Sequence, residues 1–366
     1  MTSTGITSAG YKSAIAIVTS SAMKTIDLRS DTVTQPTKEM MESISNAGLG
    51  DDVEREDPTV NKLQEIAADM FGAEDALLVP SGTGGNLIAM LAHCQRGDEI
   101  ILEQDAHMYY YEVGGMSALV GAIPRLIKGH HGVFTGDQVR EAVRCSDPLH
   151  YPPSKLVEIE NTHNRAGGCI WTPHQIEDVA TAAHELGMKV HVDGARIFNA
   201  AIALDTDVKE FMKHVDSMDF CLSKGLAAPV GSVMLGSKEY IESCRRYRKM
   251  VGGGMRQAGI IAAPGIVALT KMVSRLKDDH VNAKRLALAL TGFEGIDIDM
   301  ESVQTNLVIA DISGTGMDSD EFVDKCRKVG ILIFSFGPRS VRFVTHYGIE
   351  SKDINEAISR LEVMLS

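Results

Sequence analysis

The chain reads as an α/β protein: a mostly parallel sheet flanked by helices on both faces, followed by a smaller α+β domain. Three observations lead there. From Ile26 onward, short apolar runs of strand length alternate with helical periodicity, the pattern of strands joined by crossover helices. Two of these runs end in polar residues, Asp193 and Lys224, which suit the crevice beyond the strand ends of such a sheet. Past about residue 276 the texture changes to closely spaced strands and two short helical stretches.

Taken in order, residues 1–25 form a Ser/Thr/Ala-rich leader with two lysines, no arginine and no acid. A transit peptide is normally Arg-rich and amphipathic, so this stretch reads as a weakly ordered extension, with mitochondrial targeting as the lesser alternative. Strands are expected at Ala76 to Val79, Glu99 to Leu102, Leu156 to Ile159, Lys189 to Val192, Phe220 to Leu222 and Ser232 to Leu235. The helix after Trp171 is the best signposted. Thr172 caps it, Pro173 fits the first turn, Gln175 completes a capping box, and Gly187 ends it. A long helix over about Gln257 to Lys277 then leads away from the sheet. The large domain is placed at 26–275 and the small one at 276–366, where Asn306 to Ala310, Ile331 to Phe336 and Val341 to Val344 read as strands. Glu321 to Lys328 and Asp353 to Leu365 read as its helices.

Bulk properties narrow the function. A chain of 366 residues has room for two such domains. A formal charge of −13 argues against nucleic acid or an anionic membrane as partner. The six cysteines show no CxxC pair, which favours free thiols in a reducing, cytoplasmic setting over disulfides or a metal site. No apolar run approaches the roughly 20 residues that span a bilayer.

Lys224 ends the run Asp219-Phe220-Cys221-Leu222-Ser223 and is followed at once by glycine. An amine held at such a strand end is partly desolvated and can attack a carbonyl carbon. Asp193 ends the run Lys189 to Asp193, with Arg196 three residues later. The interval between Asp193 and Lys224 fits one helix and a return strand, so both side chains can reach one crevice. Pyridoxal 5′-phosphate (PLP) needs this pairing: a lysine to hold its aldehyde as a Schiff base, and a carboxylate to keep the pyridine nitrogen protonated. Taken singly, Lys224 reads equally as a surface lysine and Asp193 as a helix cap.

Other stretches bear on the same chemistry. Ser81-Gly82-Thr83-Gly84-Gly85-Asn86 lies between a strand and a helix, where free N–H groups bind an anion. It is equally a tight turn without ligand, and it is no P-loop. His107, with Tyr109, Tyr110 and Tyr111 behind it, offers rings to stack on a flat cofactor, or a plain helix start. Glu160 to Asn164 forms a polar cluster at a strand end. Gly252-Gly253-Gly254-Met255-Arg256 reads as an anion clamp or a linker. Arg342 sits inside the apolar strand Val341 to Val344, and a buried arginine there requires a carboxylate, from a substrate or from the protein.

Together and in this order, these stretches resemble the low-specificity L-threonine aldolase family of PLP-dependent, fold-type I enzymes. The likeness runs through Ile26 to Thr34, Gly50 to Val53, Glu56 to Thr59, Pro80 to Thr83, Glu160 to Asn164, His191 to Asn199, Leu222 to Leu226, Gly252 to Gln257 and Arg342 to His346. It covers residue 26 to the C-terminus. The resemblance implies Lys224 as the Schiff-base lysine, Asp193 as the pyridinium partner, His107 as the stacking ring and Tyr111 as a pocket wall. It implies Gly82 and Thr83 as the phosphate cup, with Arg256 and Lys249 reaching the phosphate from a neighbouring subunit of a homotetramer. Ser30, Arg196 and Arg342 would grip the substrate carboxylate, and His150 would lie near the substrate hydroxyl. One departure is Glu54-Arg55, where family members often carry Tyr-Gly. The implied activity is aldol cleavage of L-threonine or L-allo-threonine to glycine and an aldehyde, with a PLP-dependent β-eliminating lyase as the alternative.

Overall fold

The computed structural model describes residues 24–144 and 149–366; the leader assignment therefore falls almost wholly outside the described residues. Twelve strands follow in chain order: β1 (Ile26–Asp27), β2 (Asp75–Val79), β3 (Glu99–Glu103), β4 (Ile123–Ile127), β5 (Ser154–Glu160), β6 (Lys189–Asp193), β7 (Ser217–Cys221), β8 (Ser232–Gly236), β9 (Leu307–Asp311), β10 (Ile331–Leu332), β11 (Phe334–Gly337) and β12 (Ser340–Val344). Seven form one sheet in the order β2-β8-β7-β6-β5-β3-β4. All its pairings are parallel except the two that β8 makes, with β2 and β7. Strand β7 is buried along its whole length, as expected of a strand covered on both faces.

Capping explains where the helices begin. The Pro58–Phe71 helix starts on Asp57, whose carboxylate accepts from the Thr59 and Val60 amides, and ends at left-handed Gly72. The Pro173–Glu185 helix carries the expected capping box between Thr172 and Gln175. In the Gly82–His93 helix, Ser81 Oγ accepts from the Gly84 amide. The Pro58–Phe71 and Pro173–Glu185 helices pack their apolar stripes on a core that contains Trp171, Phe71, Phe198 and Phe220, with the Phe71 and Phe220 rings stacked 5.0 Å apart.

Two features depart from the sequence reading. Strand β4 is not expected from the sequence, because Pro124 and Arg125 interrupt its apolar residues. It lies at the sheet edge, where a missing N–H leaves no ladder bond unmade. The long helix proposed over Gln257 to Lys277 is two helices. Gly259–Val267 continues into a π-turn at Ala268–Met272, and Leu276–Leu290 then departs at 68° and runs well past residue 277. The bend lets Ala262 and Val267 face the first core while Ala283, Leu286 and Leu290 face a second. That second core surrounds the antiparallel sheet β11-β12-β9 and also holds Ile26 and Leu28, because β1 pairs with β10. Residues 26–28 thus pack with the C-terminal elements.

Candidate active site

The parallel strands deliver their chemistry at one edge. Gly82 and Thr83 follow β2, His107 follows β3, Asn161 to Asn164 follow β5, Asp193 ends β6, and Lys224 follows β7. This is the C-terminal edge, where ligands bind in open α/β sheets. A cavity of about 290 Å³ opens there, with Lys224, His107, Tyr111, Ser30, Arg196 and Arg342 in its wall. Phe334, Ser335 and Phe336 complete it from the small sheet. A larger cavity of about 820 Å³ lies at the opposite edge, beside His93, Lys189 and Tyr240, and none of the residues singled out from the sequence lines it.

Asp193 is buried and well held. Asn86 Nδ2 donates to its Oδ2 at 2.8 Å, and the Ala195 amide to its Oδ1 at 3.1 Å. Burial pushes its carboxyl up, but His107, Lys224 and the Asn86 amide outweigh that and keep it below the usual carboxylate range. His107 pairs with Glu112 across 3.0 Å. Burial pulls its imidazole down, yet Glu112, Asp193 and Glu160 more than compensate, so it stays protonated more readily than a free histidine. Tyr111 lies 5.4 Å from the His107 ring and accepts a hydrogen bond from Arg165 at 2.9 Å. Lys224 is half-buried, and among the described residues no carboxylate lies within ion-pair range of its amine.

The two arginines differ. Arg196 is locked to Asp31 by two bonds of 2.7 Å, and burial of Asp31 is overridden by this guanidinium, which holds the acid well below its ordinary value. Arg342 is equally deep in the protein but has no such partner. Its Nη1 donates to Asn164 Oδ1 at 2.8 Å, its Nη2 reaches the Arg29 carbonyl at 3.4 Å, and its Nε is buried with no acceptor. Burial, with Arg196 adding repulsion, lowers it to about 10. Ser30, beside them, is buried and caps the short turn at Asp31.

At the start of the Gly82–His93 helix the backbone lies tight on the sheet. A Cβ on Gly82 would sit 2.9 Å from Cys221 Sγ, and one on Gly85 2.7 Å from Asp219 Oδ2. The Gly84 and Gly85 amides are used by Ser81. The Gly82 and Thr83 amides, first in the helix, find no acceptor among the described residues and point an anion-binding pair outward.

The chain matches the family described as β-eliminating lyase over residues 27–313. It is 41% identical over 343 residues to low-specificity L-threonine aldolase 1 of Arabidopsis thaliana, covering 92% of this chain and 95% of that one. The chain belongs to the low-specificity L-threonine aldolase family. Similarity to the low specificity L-threonine aldolase of Escherichia coli (strain K12) is 40% over 342 residues, covering 93% and 99% of the two chains. The threonine aldolase of Leishmania major shares the fold, with a TM-score of 0.79 over 93% of this chain and 99% of that one at 17% identity. Like other members, this aldolase is a PLP-dependent lyase of fold type I. The residues present fit that cofactor. The amine of Lys224 is free of carboxylates, the buried Asp193 keeps acceptor capacity beyond its two bonds, and two unpartnered amides wait at Gly82 and Thr83.

Not every residue singled out arrives here. His150 is exposed in the turn before β5, at the N-terminal end of that strand and so at the opposite edge of the sheet. The expectation that it meets the substrate hydroxyl does not hold within one chain. Arg256 is exposed and bound to Asp51 at 3.0 Å, and Lys249 lines a separate cavity of about 360 Å³. Neither enters the Lys224 cavity of its own chain. Arg55, at the family departure, takes a left-handed φ of 62° and pairs with Glu242. Sequence reasoning gave no role to Asp31, Asn86, Glu112 or Asp219. Asp31 and Asn86 lie inside stretches already singled out and Glu112 directly follows Tyr111; what was missing was the side-chain pairing. Asp219 passed as one more residue of a strand.

Proposed function

We propose that this aldolase cleaves L-threonine and L-allo-threonine by gripping the substrate carboxylate between Arg342, Arg196 and Ser30 beside Lys224. The supporting observation is Arg342, a buried guanidinium with no carboxylate partner among the described residues. A charge so placed is costly until an anion joins it, and an amino acid brings one. Arg196 is kept straight by Asp31 and presents its remaining nitrogen.

Bound PLP supplies an electron sink that accepts the pair from the breaking Cα–Cβ bond. The chain's residues prepare for this. Asp193, held from behind by Asn86 and kept below the usual carboxylate range, would pair with the ring nitrogen. His107, paired with Glu112 and so protonated more readily than a free histidine, lines the cavity and is not assigned the role of base. That leaves the Lys224 amine as the proton acceptor within the cavity of one chain. With the cofactor bound, that amine would be placed to accept the β-hydroxyl proton and to return a proton to Cα, giving glycine. Arg256 and Lys249, both exposed, are proposed to reach the phosphate of a second copy in an oligomer. Product analysis decides between aldol cleavage and elimination. Glycine with acetaldehyde supports the first, whereas pyruvate with ammonia would establish the second.

A further inference from the structure

One buried acid has no part in this scheme. Asp219 is fully buried in β7, and neither carboxyl oxygen has a hydrogen-bond partner. Its Oδ2 lies under the first turn of the Gly82–His93 helix, 4.0 Å from the Cβ position of Gly82 and 2.7 Å from that of Gly85. No helix amide bonds it, since the Gly84 and Gly85 amides serve Ser81. The carboxyl therefore forms the floor beneath the two amides that face outward.

Its surroundings oppose ionisation. Burial comes first, and the Asp193 and Glu112 carboxylates add to it; Lys224 and His107 act the other way and are outweighed. The remaining titratable neighbours are neutral. His191, with Nε2 at 3.6 Å, is held down to about 4 by burial, while burial raises both Cys221 and the Tyr240 hydroxyl from the adjacent helix.

We propose that Asp219 is a proton-operated gate on the anion cup: as a neutral carboxyl it lets a phosphate monoester rest on the Gly82 and Thr83 amides, and as a carboxylate it expels it. This rests on the reading of Gly82 and Thr83 as the phosphate seat. A second negative charge beneath a bound phosphate would lower its affinity on the order of 10- to 100-fold at the effective dielectric of a partly buried pair.

The test follows cofactor release from the holoenzyme by loss of its visible absorption, from neutral to strongly alkaline pH. Wild type is expected to release cofactor at least tenfold faster at the alkaline end. Asp219→Asn, and Asp219→Thr as a smaller neutral replacement, lose that acceleration and match wild type at neutral pH. Glu158→Gln neutralises another fully buried, unpartnered acid, on β5, and is expected to keep the wild-type profile. Superimposed profiles for wild type and both Asp219 variants overturn the gate, as does a Glu158→Gln profile flattened to the same extent. If the purified wild type carries no visible cofactor band, the phosphate-seat reading itself fails, which is a distinguishable outcome.

Discussion

Replacing Arg342 by methionine separates function from stability. Burial lowers the guanidinium from its ordinary value to about 10 in the folded chain, a shift that corresponds to about 3 kcal/mol against the charged form. At neutral pH the folded chain carries a charge it disfavours, and that cost is full below about pH 10 and eases only as pH rises through that value. Methionine removes this cost and forfeits the Asn164 bond, which contributes about 1 kcal/mol. The net stabilisation is about 1–2 kcal/mol, with the cofactor site intact. Substrate binding moves the opposite way. Losing a buried charge partner for a carboxylate costs about 2–5 kcal/mol, so kcat/KM for threonine should fall by about 30- to 3,000-fold. Thermal unfolding of the holoenzyme, beside glycine release from threonine, measures both. A variant that melts lower and still cleaves threonine within threefold of wild type would refute the role given to Arg342.

Other expectations concern neighbouring groups. Asp31→Asn leaves Arg196 buried without its counter-charge and should cost about 3–5 kcal/mol in denaturant unfolding; an unchanged midpoint removes Asp31 from that role. Because Asp31 titrates below its ordinary value, its contribution is complete above about pH 4 and is lost as acid protonates it, so the variant and wild type should converge in stability at strongly acid pH. His150→Ala should reduce aldol cleavage less than tenfold, since Lys224 is the acceptor in the cavity. A loss of about 100- to 10,000-fold, the usual cost of removing a general base, would instead bring a second copy's histidine into the site. Asp219→Asn should raise the melting temperature at neutral pH, because burial keeps that acid's proton on in the folded chain alone; a lower melting temperature would mean the carboxyl is ionised.

How much of this was legible in the sequence depends on the kind of information involved. The strands and the polar residues at their ends follow from local patterning, so Lys224, Asp193, His107 and Gly82 could be gathered at one edge by topology alone. Pro124 hid β4, since a proline inside an apolar run reads as an interruption unless the strand is known to lie at an edge. The break after Met272 was hidden because no glycine or proline marks Val273 to Arg275, and only the presence of two cores requires the turn. The place of His150 was not legible, because its local text resembles the family while its position before β5 puts it at the other edge of its own chain's sheet from Lys224. Pairing was the least visible. Nothing in the order of residues says that Asp31 serves Arg196 and leaves Arg342 alone, or that Asp219 ends under Gly85.

All of these roles assume that the cofactor is tethered at the end of β7. Borohydride reduction of the holoenzyme, followed by peptide mass spectrometry, identifies the attachment point without relying on activity. The pyridoxyl group is expected on Lys224 alone. Label on another lysine, or on none, would contradict the assignment.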